Sequence, residues 1–476
     1  MMSARIALIG YPAEYFISFA RALQQVGFEV FWVCALTADA RYLRNQGVPK
    51  SRILDINEGF QLTGRYQECK DALVAFENET DPKFNDIILM DRLLKRKDWQ
   101  FSVELLRHVA TAVSAFVERN GLQIMSSYRD TAIQMTAMLV ARRHAIPFIV
   151  PTRIRIPQEM YGFCTAHHTD SFVTLRPTTQ EDNDWAESFL ATFERGDLKP
   201  ALKKSSRSFV DVLRLMPSHA RAFLYEVRRS SADSGNDFTR YPLWRLVTMY
   251  LRRRINLFLY QFVRPAEASL SPALPYCLYA LHTQPESSID VQGSYFSDQI
   301  ELIRHIARSL PASHVLYVKV HPTDVDGQST EFYRRIKAIP SVVLVDFSVD
   351  SRMLQKSASI IFALTGTMAY EAGLLQKPVI VFARNYFNAL PTIHHCTDPT
   401  ALPALVRRIL MESKSPSAEG RRQVLLFMAR MRAACFEGEV ARNYGESNEP
   451  LRATDLQVVQ KAYLTLWQAL TKDHDF

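Results

Sequence analysis

A histidine and a proline stand directly after an apolar run with the composition of a buried β-strand. The run is VLYVKV at 315–320, and His321 and Pro322 follow it. Because α/β proteins bind ligands where the strands of a parallel sheet end, the imidazole of His321 is placed to donate a hydrogen bond to a phosphate. Pro322 fixes its own φ and stiffens the turn that orients the histidine. Lys319 is a second candidate for the phosphate, with packing against a helix or the surface as its alternative.

A second polar motif, Thr365-Gly366-Thr367, follows the apolar run SIIFAL at 359–364 and opens a predicted helix. Gly366 permits a close approach of the backbone, the threonines supply hydroxyls, and the free N–H groups of a helix start suit a phosphate. Glu371 lies one turn into the helix on the face of Thr367, where its carboxylate can accept hydrogen bonds from ribose hydroxyls. The alternative is an ordinary helix start, with Thr367 as the cap and Glu371 as a surface acid.

The loop LHTQPESS at 281–288 follows the first predicted strand of the second half of the chain. A loop in this place can hold a phosphate or an acceptor molecule. Gln284 is the candidate for binding and Glu286 the candidate for catalysis. The role of His282 stays open, and a turn without a ligand is the alternative for the whole loop.

In the first half of the chain, the segment SSYRDTA at 126–132 ends a predicted strand and starts a helix. Transfer of a group to a hydroxyl needs a base near the attacking oxygen, and Asp130 is the carboxylate at this strand end. The alternative is that Asp130 caps the helix that starts at Thr131. Further candidates near this edge are Tyr11, Glu14, Arg129, Arg153 and Arg155, the arginines as partners for phosphate or carboxylate groups.

No Asp-x-Asp metal motif stands in a convincing strand-end position. We therefore expect a site without a bound metal, in which basic side chains and helix dipoles stabilise a leaving phosphate. The chain also has no GxGxxG motif and only 16 glycines, which argues against NAD or FAD chemistry.

The predicted elements alternate between strand and helix in two halves. In the first half, strands are predicted at 5–10, 27–33, 122–127 and 146–150, and helices at 13–26, 99–120 and 131–144. In the second half, strands are predicted at 275–281, 315–320, 342–346 and 378–382, and helices at 297–309, 401–411, 420–435 and 454–470. Such alternation is typical of parallel sheets covered by helices.

The chain has 476 residues, 47% hydrophobic and 22% charged, which is ordinary for a globular protein and too long for a single core. No apolar run is long enough for a spanning helix, and the apolar start at 6–9 is too short for a signal peptide, so a cytosolic protein is expected. The six cysteines form no CxxC pair, so reduced, mostly buried thiols are expected.

The net charge of +8 is concentrated in the segment 203–264, where basic residues alternate with apolar ones at helical spacing. Helices of this kind lie on anionic lipid surfaces, and Arg252, Arg253 and Arg254 are the expected contacts. The alternative is a solvated helical insertion whose apolar side packs on the protein.

Taken together, His321-Pro322 and the Thr365-Gly366-Thr367 turn with Glu371 resemble the C-terminal donor half of two-domain GT-B glycosyltransferases. The resemblance is strongest to bacterial capsule polysaccharide transferases, including the β-Kdo transferases, in which a QPE run similar to 284–286 precedes a helix. It implies an α/β fold of two Rossmann-like domains facing across a cleft. The implied divisions are an acceptor domain at 1–170, a basic helical insertion at 171–270, a donor domain at 271–400 and a helical tail at 401–476, packed on the donor domain or crossing back.

The resemblance also implies the chemistry. The enzyme would need no cofactor and would use a nucleotide-sugar co-substrate, with CMP-Kdo as the leading donor and UDP- or GDP-sugars as alternatives. The acceptor would be a glycan or lipid-linked glycan on the inner face of the cytoplasmic membrane, and nucleic acid is not an expected partner. The competing functions are a UDP-sugar 2-epimerase of the same fold and a glycan-binding or export subunit without turnover.

Overall fold

The computed structural model describes residues 4–77, 82–127, 130–157, 160–167, 169–196, 243–263, 265, 275–412, 416–438 and 453–472. These residues belong to two compact units. The first unit takes in the described parts of 1–177, 222–243 and 433–476, and the second takes in those of 178–221 and 244–432.

The strands and helices are numbered in chain order. The strands are β1 Ala4–Ile9, β2 Phe28–Cys34, β3 Ile53–Asp55, β4 Ile124–Ser126, β5 Phe148–Arg153, β6 Met160–Cys164, β7 Tyr276–Ala280, β8 Val315–Lys319, β9 Val342–Val345, β10 Ile361–Ala363, β11 Val379–Val381, β12 Ile393–His395 and β13 Cys435–Glu437. The helices are α1 Ala13–Gln25, α2 Thr37–Asn45, α3 Tyr66–Val74, α4 Phe84–Met90, α5 Trp99–Asn120, α6 Ala132–Arg143, α7 Gln180–Arg195, α8 Leu243–Tyr260, α9 Ser287–Asp290, α10 Gln299–Ser309, α11 Thr330–Lys337, α12 Ser351–Ser357, α13 Thr367–Leu374, α14 Leu402–Glu412, α15 Ala418–Ala434 and α16 Ala453–Lys472.

The sheet of the first unit has the strand order β13-β6-β5-β4-β1-β2-β3. Strands β1 to β5 are parallel, while at one edge β6 pairs antiparallel with β5 and β13 pairs antiparallel with β6. The parallel part has the Rossmann order, in which the direction of winding reverses between β1 and β4.

The sheet of the second unit has the order β12-β11-β10-β7-β8-β9, and its recorded strand pairs are all parallel. This is again the Rossmann order, and the winding reverses between β7 and β10. Strands β7, β8 and β10 consist almost wholly of buried residues, as expected of parallel strands covered on both faces.

Each unit has its own core. In the first unit the core includes strand residues such as Ile6 and Trp32 and three residues of the last helix, Val459, Tyr463 and Leu466. In the second unit it joins strand residues such as Val318 and Phe362 to apolar residues of α10 and α14. The C-terminal helix α16 therefore packs within the first unit, although α14 lies in the second.

The α/β class and the two Rossmann-like units predicted from the sequence are confirmed. Helix α5 spans the predicted residues, because Asp98 caps its start through the N–H of Gln100 and Gly121 ends it in the left-handed conformation. Strands β3, β6, β12 and β13 were not predicted. The predicted basic segment at 203–264 lies mostly outside the described residues.

Two further sequence expectations can be compared with the structure. All six cysteines are buried and unpaired, as predicted. No helix in the described ranges is long and apolar enough to cross a membrane.

Candidate functional site

The loops that follow β7, β8 and β10 meet at the carboxyl edge of the second sheet. Strand β7 lies between β10 and β8, and the reversal of winding falls between β7 and β10. In open α/β sheets, ligands bind outside the strand ends at such a reversal. The predicted motifs at 281–286 and 321–322 lie in the first two of these loops, and the motif at 365–367 joins the third loop to the first residue of α13.

His282 ties the loop after β7 to the loop after β10. Its buried ring accepts a hydrogen bond at Nε2 from the backbone N–H of Leu364 at 3.2 Å. A Cβ atom at Gly366 would lie 3.3 Å from Cε1 of His282, so the ring packs directly under the Thr365–Thr367 turn. The role of His282, which stayed open from the sequence, includes holding these two loops together.

A buried glutamine fixes the backbone of His282. The Oε1 atom of Gln299 accepts the His282 N–H at 2.8 Å, and its Nε2 donates to the His282 carbonyl at 3.0 Å. Gln299 is the first residue of α10 and is buried. Hydrogen bonds from α10 therefore hold the loop after β7, and His282 in turn holds the loop after β10.

The imidazole of His321 has a defined protonation pattern. Its Nδ1 atom accepts from the backbone N–H of Thr323 at 3.3 Å and lies 2.9 and 3.1 Å from the hydroxyls of Thr323 and Thr283. Since Nδ1 is the acceptor, the ring proton of a neutral His321 is on Nε2. Nε2 has no hydrogen-bond partner among the described residues, so it can donate to a ligand.

His321 is a neutral donor at physiological pH. Burial lowers its pKa to about 4, and the positive charge of Lys319 adds to the shift. Lys319 is itself buried and donates from Nζ to the carbonyl of Phe347 at 3.0 Å. Burial lowers the pKa of Lys319 to about 8, against the opposing effect of Asp346 and Asp350. Because an ammonium group has three N–H donors, the bond to Phe347 leaves the predicted contact of Lys319 with a phosphate open, and it stays a prediction.

The Thr365-Gly366-Thr367 turn opens helix α13. Gly366 is the N-cap residue, with φ 117° and ψ 162°, a conformation almost confined to glycine. Thr367 is the first helical residue, so the alternative in which Thr367 caps the helix is wrong. Thr365 is buried beside them.

Glu371 is not a surface acid, contrary to the same alternative. Its Oε2 accepts a hydrogen bond from Nε2 of the buried Gln355 at 3.2 Å. Burial raises the pKa of Glu371, while the Gln355 hydrogen bond and the charge of Arg352 act in the opposite direction. A contact with a ribose hydroxyl stays a prediction for this residue.

The loop from Gln284 to Glu286 is held by two buried carboxylates. Asp290 accepts from the Gln284 amide at 3.3 Å and from the Glu286 backbone N–H at 3.0 Å. Asp324 accepts from the Gln284 backbone N–H at 3.4 Å, and burial raises the pKa of Asp324 to about 6. The side chain of Gln284 therefore stabilises its own loop, and Glu286 is exposed.

At the edge of the first unit, Asp130 forms an ion pair. Its two carboxylate oxygens accept from the guanidinium of Arg92 at 2.8 and 3.3 Å. The N-cap position of α6 belongs to Thr131, and Asp91 accepts the N–H of Ala132 at 2.8 Å. The alternative that Asp130 caps this helix is therefore wrong, and its role as a base stays a prediction.

Other candidates of the first unit have different environments. Tyr11 is buried in the core, and its hydroxyl oxygen lies 3.0 Å from Oγ of Ser126. The expectation that Tyr11 lines the edge is therefore wrong. Glu14 and Arg153 are exposed, and Arg155 is half-buried. Arg129 lies outside the described residues.

Several residues that shape the second edge were not found from the sequence. They are Thr283, Gln299, Thr323, Asp290, Asp324 and Gln355. The position of Thr323 two residues after His321 was a usable signal, because hydroxyls often bond to side chains two residues away. The others act on partners that are distant in the sequence or lie on another element. Among the described residues, no three His, Cys, Asp or Glu side chains are grouped as metal ligands.

The fold and these loops define an α/β protein of two Rossmann-like units whose second unit carries a polar edge at its switch point. Residues 266–391 match the family model described as "Capsule polysaccharide biosynthesis protein". The match includes the loops after β7, β8 and β10 and confirms the resemblance over this part of the chain. No curated protein matches the chain.

Solved structures are similar to the chain at low identity. The β-Kdo 2,4 transferase KpsC of Thermosulfurimonas dismutans is 14% identical, with 71% of this chain and 88% of that chain covered and a TM-score of 0.38. The UDP-GlcNAc 2-epimerase of Methanocaldococcus jannaschii is also 14% identical, with 89% and 98% covered and a TM-score of 0.27. Acinetobacter baumannii MurG is 10% identical, with 90% and 94% covered and a TM-score of 0.25. Scores this low decide neither fold nor substrate.

Proposed function

We propose that the chain is a glycosyltransferase that transfers a sugar from a nucleotide donor to a surface-polysaccharide or glycolipid acceptor, with CMP-Kdo as the leading donor. One observation carries the proposal. His321 and the Thr365–Thr367 turn lie on loops of one sheet edge, and His282 bonds to the second of these loops within the region that matches the capsule family model.

The edge offers two kinds of donor to a phosphate. The start of α13 supplies backbone N–H groups beside the hydroxyl of Thr367, and Gly366 supplies the positive φ that this turn requires. His321 supplies a neutral Nε2–H. A phosphate held in this way can leave with the electron pair of the sugar–oxygen bond, because hydrogen bonds to its oxygens stabilise the developing charge.

The acceptor step requires a base. The acceptor hydroxyl oxygen attacks the anomeric carbon, the bond from that carbon to the phosphate oxygen breaks, and the base takes the hydroxyl proton. Asp130 is the proposed base, with Glu286 and Glu14 as the next carboxylates to test. Independence from metal ions remains part of the proposal.

The resemblance also supports a location. A glycosyltransferase that builds surface glycans on a lipid carrier would work in the cytoplasm as a peripheral protein on the inner face of the cytoplasmic membrane. The amphipathic, acid-free sequence of α8 supports this placement.

The first alternative is a UDP-sugar 2-epimerase of the same fold. The serine-glycine-glycine run and paired glutamates usual in such enzymes are replaced here by Thr365-Gly366-Thr367 and a single Glu371. A subunit that binds glycans without turnover is the second alternative. Nucleotide binding with transfer favours the transferase, interconversion of a UDP-sugar without an acceptor favours the epimerase, and glycan binding without nucleotide binding favours the subunit.

The test is titration calorimetry of the full chain with CMP-, CDP-, UDP- and GDP-compounds, followed by a transfer assay with the donor that binds. His321→Ala should weaken binding by about 1.5 to 3 kcal/mol, the usual size of a lost hydrogen bond to a charged group. His314→Ala is the matched control, because His314 precedes the same strand and its ring bonds, among the described residues, to its neighbour Ser313. If a folded His321→Ala protein binds and turns over like wild type, the donor site is elsewhere.

A further inference from the structure

Helix α8 is attached to the second unit through one face. Tyr260 donates to Oδ2 of Asp346 at 2.9 Å, and Asn256 donates to the carbonyl of Asp326 at 3.2 Å. Arg253 donates to Oδ1 of Asp326 at 2.6 Å. Tyr260 and Asn256 are buried. The inner face of α8 is thus fixed by polar bonds and by packing.

The opposite face of α8 carries a line of exposed apolar side chains. We call this set the α8 stripe, and its members are Trp244, Val247, Leu251, Ile255, Phe258 and Phe262. They recur every three or four residues, so they share one side of the helix and of the turn that follows it. Their exposed fractions lie between 38% and 68%. Large exposed apolar patches on soluble proteins mark interaction surfaces.

Cations flank the stripe on both sides. At about 100° per residue, Arg245 and Arg252 fall on one side of the α8 stripe and Arg254 on the other. The guanidinium of Arg254 lies 5.0 Å from the ring centre of Tyr250 on the same helix. No Asp or Glu occurs between residues 243 and 263.

The structure corrects the expected roles of the arginine triplet. Arg252 is exposed, but Arg253 is engaged with Asp326 and helps to hold the helix on the unit. Loss of Arg253 would therefore disturb the docking of α8 as well as any surface contact. The six apolar side chains of the α8 stripe form a larger exposed surface on this helix than the arginine triplet does.

We propose that the α8 stripe lies in the interfacial region of an anionic lipid bilayer, with Arg245, Arg252 and Arg254 at the level of the headgroup phosphates. An apolar line with two arginines on one side and one on the other matches such a surface, which offers acyl chains below and negative charge above. A second copy of α8 is a poorer partner, because each helix brings arginines and no carboxylate. The inference deepens the proposed membrane placement and does not depend on the identity of the sugar donor.

The test is co-sedimentation of the full chain with vesicles of phosphatidylcholine alone or mixed with phosphatidylglycerol. Wild type should bind the mixed vesicles, and added salt should weaken the binding because it screens the charges. The triple variant Leu251→Gln, Ile255→Gln, Phe258→Gln should partition about tenfold or more weakly, since apolar burial drives insertion. The pair Arg245→Gln, Arg252→Gln should also lose about tenfold or more at low salt.

The control variants make the same kinds of substitution at exposed residues outside the α8 stripe. Leu62→Gln with Leu89→Gln removes two other exposed leucines, and Arg308→Gln removes another exposed arginine. These variants should bind vesicles like wild type. Unchanged nucleotide affinity of the triple variant shows that its second unit is folded.

Three results would overturn the inference. The triple variant could bind mixed vesicles as well as wild type does, or wild type could bind neither kind of vesicle. Sedimentation velocity without lipid could also show a wild-type dimer that the triple variant abolishes, which would assign the stripe to a second copy. If wild type binds nucleotide and transfers sugar but ignores vesicles, this inference fails while the proposed function stands.

Discussion

At the scale of single residues, the structure indicates the protonation state of His321 and the direction of its N–H. The backbone N–H of Thr323 fixes Nδ1 as the acceptor, and burial keeps the ring neutral. His321 therefore offers a directed N–H and no positive charge at neutral pH. The hydroxyls of Thr283 and Thr323 restrict its rotation.

The neutral state of His321 gives a pH prediction. If an imidazolium were required, nucleotide affinity would fall as pH rises through the ordinary pKa of 6.5. Because the pKa of free His321 is about 4, affinity between pH 6 and 8 should show no step assigned to this group. Calorimetric measurement of nucleotide affinity for wild type and His321→Gln between pH 6 and 8 tests this prediction. The glutamine amide can donate without charge, so His321→Gln should retain more affinity than His321→Ala. A step in wild type that His321→Gln removes would contradict a neutral donor.

Asp130 and Arg92 allow a base to be distinguished from a structural ion pair. Asp130→Asn should leave nucleotide affinity intact and lower transfer by roughly 100-fold or more, the usual contribution of a base. Arg92→Gln breaks the same ion pair but keeps the carboxylate, so it should retain most of the transfer rate. Equal losses in the two variants would show that the pair only supports the fold. Transfer at the wild-type rate in Asp130→Asn would move the search to Glu14 and Glu286.

At the scale of elements, the proposed donor site depends on three loops that end neighbouring strands. Gln299 on α10 holds the backbone of His282, and His282 accepts the Leu364 N–H. Gly366 then lies on the His282 ring. The start of α13 is thereby positioned by His282 on the loop after β7 and by Gln299 on α10, so its backbone donors are held by the protein itself.

Gly366→Ala tests whether the position of the start of α13 matters for nucleotide binding. The added methyl forces a conformation that costs about 1 to 3 kcal/mol and crowds His282 at 3.3 Å. Gly196→Ala is the matched control, because Gly196 also has a positive φ, of 80°, with nothing within 4 Å of its Cβ position. Both variants should lose thermal stability, but only Gly366→Ala should also lose nucleotide affinity. Equal nucleotide affinities in the two variants would show that the turn does not bind the donor.

At the scale of the whole molecule, two units with separate cores are built from one chain. The last helix, α16, contributes Val459, Tyr463 and Leu466 to the core of the first unit. Tyr463 is fully buried, packs edge-on against Phe19 and Phe163, and shares a hydrogen bond of 3.2 Å with Ser126. Stability of the first unit should therefore depend on helix α16.

Tyr463→Ala should destabilise the first unit by about 3 to 5 kcal/mol, as large-to-small changes of buried aromatic residues do. Hydrogen exchange followed by mass spectrometry should then show faster exchange in β1, β4 and α1, with β7, β8 and β10 unchanged. Tyr463→Phe removes only the hydroxyl and should cost about 1 kcal/mol. Equally faster exchange in both sheets after Tyr463→Ala would show that the units unfold together.

The sequence alone was sufficient for the elements whose signal is local. The apolar runs of β1, β7 and β8, the bounds of α5 and the position of His321 after a strand follow from short-range patterns, because strand and helix periodicity is set by neighbouring residues. The two Rossmann-like units follow from the alternation of those elements.

Only the tertiary structure decided features that depend on distant partners. β13 forms only by pairing with β6, more than 270 positions earlier, and the residues MYGFC of β6 have no clear strand pattern. His282 bonds to Leu364 across 82 positions, and Tyr11 is buried because the chain returns at Ser126. The outward direction of the α8 stripe depends on Asp326 and Asp346 holding the other face of the helix. Local patterns specify which residues are apolar or polar, whereas burial and hydrogen bonding depend on where the rest of the chain passes.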